Sequence, residues 1–261
     1  MISSAANPRV KQTAALVKKA RCRKQTGLFV VEGPKMFREL PAERVHEVYV
    51  TEKFLQDPSC KKMLEHTPNV EVVTEEVLKA MSDAQTPQGV LAVVRQYDYT
   101  MADLKNSSGP SLLMILETIQ DPGNLGTILR AGEGAGVTGV IMDRDSVDVY
   151  NPKVIRSTMG SIYRVPFFYT DDLTETLRAL KSEGIRLFAA HLDGKRDSDQ
   201  EDYTADVGFL IGNESRGLSC ETSALADGLI RIPMAGKVES LNAAVASSIL
   251  MFEAARQRRN T

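Results

Sequence analysis

The chain has 261 residues, 43% hydrophobic and 25% charged, enough to bury a core and long enough for about two domains. No apolar run reaches the ~18 residues of a membrane helix, and the polar start MISSAANPRVKQ lacks a signal-peptide centre, so a cytoplasmic protein is expected. Three scattered cysteines form no Cys-x-x-Cys pair and three histidines no His-x-x-x-His, so neither a disulfide framework nor a metal site is expected.

The first element is a basic helix over residues 8–21. The net charge of −2 conceals it: seven basic residues (Arg9, Lys11, Lys18, Lys19, Arg21, Arg23, Lys24) precede Val31 with no acidic one among them. Such a block suits either a solvated helix face or contact with a phosphate backbone, and the near-neutral total confines any such contact to one patch. The strand LFVVEG and a helix from Pro34 follow, then VHEVYV, a helix around 59–66, VEVV, a helix from Thr74 and GVLAVV. That alternation predicts an α/β domain over residues 1–97. Residues 98–110, with Asn-Ser-Ser-Gly-Pro at 106–110, read as a linker.

A second α/β domain, 111–261, opens with the apolar run SLLMILETI. Its further strands are VTGVIM, RVPFFY, IRLFAA, DVGFLIG and DGLIRIP, with helices over 124–133, 151–159, 171–183, 218–226 and 240–258. Gly134-Ala-Gly136-Val-Thr-Gly139 spells G-x-G-x-x-G, but it follows a helical pattern and precedes a strand. A dinucleotide loop needs the reverse order, so these glycines read as a helix end and a turn.

Three glycine-bearing turns each follow a strand. In QDPGNLGTILRAGEGAGV, Asn124 is placed to cap a helix that carries Arg130. In IGNESRGLS, Gly212-Asn213-Glu214 ends a buried strand. In IPMAGKVESLNAAVAS, Ser240 is placed as the cap of a long helix. Each alone is an ordinary βα turn; three together, all bearing polar residues, suggest a site at the carboxyl ends of the strands.

In this order the three stretches resemble the motifs of the SpoU/TrmH branch of the SPOUT methyltransferases. NPKVIRSTMGSIYRVPF, at 151–167, fits the same family. NPRVKQ, FVVEGPKM and SDAQTPQGVLAVV resemble its L30e-like substrate-binding domain. The resemblance implies a smaller L30e-like α/β domain followed by a SPOUT domain with a deep trefoil knot, a homodimer, and S-adenosyl-L-methionine bound mainly through backbone groups. Gly212, Ile232 and Leu241 match its cofactor contacts, and Arg130, Asn124, Glu214, Ser240 and Asn242 its catalytic set. RNA would be held by Lys11, Lys18, Lys19, Arg21, Arg23, Lys24 and Arg156, with Arg164 contributing near the site. The implied reaction is methylation of an RNA ribose 2′-hydroxyl without a metal, most often in large-subunit ribosomal RNA.

A free guanidinium has a pKa above ~12, so Arg130 suits phosphate holding and alkoxide stabilisation better than proton abstraction. Ser215 stands where many relatives have glycine, and a positive φ there would cost ~1–2 kcal/mol. Three alternatives remain open on these residues: a tRNA ribose methyltransferase, a non-catalytic RNA-binding assembly protein, and a nucleotide-dependent oxidoreductase, the last disfavoured by its glycine placement.

Overall fold

The computed structural model describes residues 1–65, 67–106 and 109–260. His66 of the expected 59–66 helix, Ser107 and Ser108 of the expected linker, and Thr261 lie outside the described residues. The chain divides into two compact units. Met1–Asp98 and Asp148–Tyr163 form the first, and Tyr99–Val147 and Arg164–Thr261 the second.

In chain order, the described elements begin with α1 (Pro8–Lys18), α2 (Ala20–Thr26), β1 (Leu28–Glu32), α3 (Pro34–Arg38), β2 (Val45–Thr51), α4 (Glu52–Gln56), α5 (Pro58–Lys62), β3 (Val70–Val73), α6 (Glu75–Met81) and β4 (Val90–Arg95). They continue with β5 (Leu112–Leu116), α7 (Pro122–Ala135), β6 (Gly139–Asp143), α8 (Pro152–Thr158), β7 (Phe167–Thr170), α9 (Leu173–Ser182), β8 (Arg186–Ala190), β9 (Arg196–Asp197), β10 (Val207–Ile211), α10 (Cys220–Leu225), β11 (Gly228–Arg231) and α11 (Ala243–Arg259).

In the first unit four strands pair in the order β1-β4-β2-β3, antiparallel except for β2 with β3. Val10, Leu16 and Val17 of α1 and Val77, Leu78 and Met81 of α6 pack with Val30, Tyr49, Leu91 and Val93 of the sheet. Burying such side chains stabilises by roughly 1.5–3 kcal/mol each. Because Val10, Thr13 and Val17 take the buried stripe, Lys11 and Lys18 are turned to solvent.

The single basic helix expected over 8–21 is two helices. Lys19 is extended (φ −127°, ψ 112°) and ends α1. Arg23 explains how the break is held: its Nη1 donates to the carbonyls of Leu16 (2.7 Å) and Val17 (3.2 Å), which the end of α1 leaves without helical partners. Its Nη2 and Nε donate to Asp148 Oδ2 at 2.7 and 2.9 Å. No glycine or proline marks this break, so periodicity reads straight through it.

The second unit is a parallel seven-stranded sheet in the order β7-β6-β5-β10-β8-β11-β9, the mixed α/β class expected. Its inner strands β5 and β10 are buried along their whole length, as strands covered on both faces must be. Gly134 lies within α7, and Gly136 (φ 79°) caps it before β6, so the G-x-G-x-x-G stretch is a helix end and turn.

Candidate active site

Parallel strands end on one edge of their sheet, so the loops after β8, β10 and β11 emerge together. They wall a cavity of about 870 Å³, within the range of small-molecule sites. Ile211 and Ile230, 3% and 1% exposed, give it an apolar floor. Gly212, Ile232 and Leu241 stand in the wall outside strand and helix, where peptide groups are not consumed by ladder or helix bonds. Glu214 and Ser240 line the same cavity.

The loop after β10 folds back on itself. Asn213 and Gly217 exchange backbone hydrogen bonds (3.1 and 2.8 Å), and Asn213 Oδ1 accepts from the amides of Ser215 and Arg216. A Cβ on Gly212 would lie 2.1 Å from Gly217 C, so only glycine fits there. The left-handed position of this loop is Gly217 (φ 69°); among the described residues the non-glycine positive φ values belong to Asn69, Thr118 and Met159. Ser215 therefore carries no such strain, and the substitution of serine for glycine is accommodated.

Glu214 gathers donors from the loop after β5. Its carboxylate accepts from the amides of Gln120 (3.2 Å) and Asp121 (3.0 Å) and from Asn124 Nδ2 (3.0 Å). Partial desolvation alone would raise its pKa. The bonds from Asn124, Asp121, its own amide and Gln120 outweigh that and hold the carboxyl below the usual value. Asn124 Oδ1 in turn accepts from Asn242 Nδ2 at 2.8 Å, while Asn242 Oδ1 accepts from the amides of Ala244 and Val245 and caps α11. Glu214, Asn124 and Asn242 thus tie all three glycine-bearing turns into one chain of bonds.

Two expected caps are corrected. The cap of α7 is Asp121, whose side chain accepts from the Asn124 amide. This leaves the 8%-exposed Asn124 side chain available to bridge Glu214 and Asn242. The cap of α11 is Asn242, and Ser240 instead lies in the cavity wall.

Arg130 is exposed on α7 and is not part of the cavity wall. Six residues, at about 100° each, carry it to a different face of the helix from buried Asn124. It shares its face with Gly134, against which Phe252 of α11 lies (Cζ 3.6 Å from where a glycine Cβ would be).

Of the basic set, Lys11, Lys18, Lys19, Arg21 and Lys24 are exposed. Arg23 is not available to RNA: it is 3% exposed and its guanidinium is committed to Asp148 and α1. Arg156 pairs with Asp83 at 2.7 Å in the first unit. Arg164, expected near the site, has its guanidinium on the Glu133 carboxylate in the second unit.

Two features carry little signal in the sequence. The stretch 190–193 after β8 supplies a wall of the cavity, including Leu192, which is 65% exposed. It opens no helix, and only its place after an apolar strand and before Gly194 signals it. The other is Thr118, left-handed at φ 57° at the end of β5, a conformation costing of order 1–3 kcal/mol for a β-branched residue.

Among the described residues no three His, Cys, Asp or Glu side chains cluster as metal ligands, and no helix is long and apolar enough to cross a membrane. Residues 111–252 match the SpoU rRNA methylase family, and residues 7–92 the MRM3-like substrate-binding domain. An uncharacterised tRNA/rRNA methyltransferase of Synechocystis is 32% identical over 98% of this chain and 94% of its own. A 23S rRNA (guanosine-2′-O-)-methyltransferase of Bordetella pertussis is 34% identical over 83% of this chain and 91% of its own. The crystal structure of the SpoU methyltransferase AviRb of Streptomyces viridochromogenes, in complex with the cofactor AdoMet, superposes with a TM-score of 0.87. It is 28% identical and covers 97% of this chain and 98% of its own. With its three motif turns tied by one chain of bonds and the family's model matched over residues 111–252, the chain belongs to the SpoU rRNA methylase family, RNA 2′-O-methyltransferases that use S-adenosylmethionine.

Proposed function

We propose that this protein methylates a ribose 2′-hydroxyl of large-subunit ribosomal RNA, with Gly212, Ile232 and Leu241 holding the cofactor in the 870 Å³ cavity. The observation that carries this reading is the Glu214–Asn124–Asn242 chain, which ties the first motif turn to the two turns that wall that cavity. An apolar floor, free peptide groups in the wall and Ser240 suit a ligand with an aromatic base and an amino-acid end. Bound there, S-adenosylmethionine supplies an electrophilic methyl group on a sulfonium.

The residues divide the remaining work. Glu214 is pinned by three donors from 120–124 and held ionised, which makes it a weak proton acceptor, so its role is positioning. Arg130 holds a substrate phosphate and stabilises the negative charge that develops on the attacking oxygen, its proton leaving by way of the phosphate. Residues 1–97 present RNA through Lys11, Lys18, Lys19, Arg21 and Lys24, and Arg156 contributes a further contact. Residues 111–261 carry the chemistry and the trefoil knot. A crossing as close as Gly194 on Ile230–Arg231, where a Cβ would meet backbone at 2.5 Å, fits such a knot.

A homodimer is part of the same reading. Val245, Ile249 and Phe252 are 48%, 38% and 47% exposed and fall on one stripe of α11, beside the face of α7 that carries Arg130. Covering that stripe with a second copy would place Arg130 at the interface, near a site whose own wall does not include it.

Tritiated S-adenosylmethionine incubated with the protein and total RNA from a deletion strain tests the reading. Label in large-subunit RNA, mapped by one linkage resistant to alkali, supports it. Label confined to tRNA moves the substrate to tRNA, and cofactor binding without label in protein-free RNA or assembling particles points to a non-catalytic RNA-binding role.

A further inference from the structure

We propose that Thr118 is a positioning residue for methyl transfer: its left-handed turn and its hydroxyl's bond to Asp143 aim the loop after β5 at Glu214. The proposal rests on the methyltransferase reading.

A β-branched residue is the wrong choice for this backbone. At φ 57° the Thr118 side chain crowds its own carbonyl, and glycine would adopt the conformation freely. Threonine is accommodated because its surroundings hold the turn from both sides. Thr118 Oγ1 donates to Asp143 Oδ2 at 2.8 Å, a bond glycine cannot make. The Thr118 carbonyl accepts from Asn213 Nδ2 at 2.9 Å, joining it to the loop that walls the cavity. The next residue, Ile119, is clamped as well: its amide donates to Ser146 Oγ (3.1 Å) and its carbonyl accepts from Val147 N (2.8 Å). Asp143 Oδ1 holds Ser146 through both its amide (2.9 Å) and its hydroxyl (2.6 Å), so a single carboxylate anchors both clamps.

The turn leads directly into the groups that organise the site. Gln120 and Asp121 present their amides to Glu214, and Asp121 caps the helix that carries Asn124 and Arg130. An error in the direction of the chain at 118 is passed to all of these groups. The cavity wall after β8 is bonded instead to Ile230, whose carbonyl accepts from the His191 amide at 2.9 Å. Loosening Thr118 should therefore slow turnover more than it weakens cofactor binding.

The test compares Thr118→Ser, which keeps the hydroxyl, with Thr118→Val and Thr118→Gly, which lose it. Glycine also removes the strain, so that variant folds even where valine does not. For each, folding is checked by circular dichroism, and kcat, KM for RNA and the dissociation constant for S-adenosylmethionine are measured. The expected pattern is a kcat within about threefold of wild type for serine, and about tenfold lower for valine and glycine, with the cofactor constant moving less than about threefold. Wild-type turnover in the glycine variant, a serine variant as slow as glycine, or a change confined to cofactor binding would each overturn the assignment. A wild-type protein that transfers no methyl group to any RNA fails the methyltransferase reading itself, a result visible before any variant is made.

Discussion

The two sheets put their loops to different use. In the second unit every strand of β7-β6-β5-β10-β8-β11-β9 runs the same way, so loops far apart in sequence emerge on one edge and residues 120–124, 214 and 242 reach hydrogen-bonding distance. In the first unit β1, β4 and β2 alternate in direction, so successive loops leave from opposite ends. The exposed basic groups of its N-terminal block lie instead on a helical surface, on α1, α2 and Lys19 between them. A parallel sheet concentrates chemistry at a point, whereas a mixed sheet flanked by helices offers a face. The first arrangement suits a reacting centre and the second a polyanion.

Breaking the proposed interface or the centre should have the largest effects. Phe252→Asp with Val245→Asp should leave a monomer in sedimentation and lower methyl transfer at least about 100-fold while cofactor binding persists. Arg130→Ala should lower kcat about 10²–10³-fold. Arg130→Lys should retain appreciable activity if positive charge is what matters, and near-total loss in that variant would rule out a simple charge role.

The first unit separates a structural arginine from its surface neighbours. Arg23→Met should lose about 3–5 kcal/mol of stability in urea denaturation, because it strands Asp148 and uncaps α1. Lys18→Ala, Lys24→Ala or Arg21→Ala should change stability by no more than about 0.5 kcal/mol each. Each of these should instead weaken RNA binding and reduce its salt dependence by about one counterion. Equal destabilisation by all four would erase the distinction between face and staple.

The smallest effect is a pH dependence. The Glu214 carboxyl titrates below its ordinary 4.5, so the stability it contributes is fully present above that value and is lost as pH falls through the lower folded-state pKa. Glu214→Gln should flatten this acid limb of the stability curve. A limb unchanged in the variant would assign it to other carboxylates.

Much of the molecule is legible in the chain. Buried strands such as β5 and β10 appear as apolar runs, and turn residues mark most element ends. The motif order alone points to Gly212, Glu214 and Asn242 as parts of one site. Individual roles are less legible where a local rule has two candidates. Asp121 and Asn124 both suit a cap, and the choice depends on Glu214, which is 90 residues distant and only the fold brings near.

By itself the sequence determined every strand except β9, most helices and the three glycine-bearing turns, because these rest on period, turn chemistry and residue type within a few positions. Tertiary structure alone decided that Arg23 is a buried staple, that Thr118 is held left-handed, and that Asn124 bridges Glu214 and Asn242. Each depends on partners such as Asp148, Asp143 and Glu214, and burial, strain and bonding are properties of what surrounds a residue.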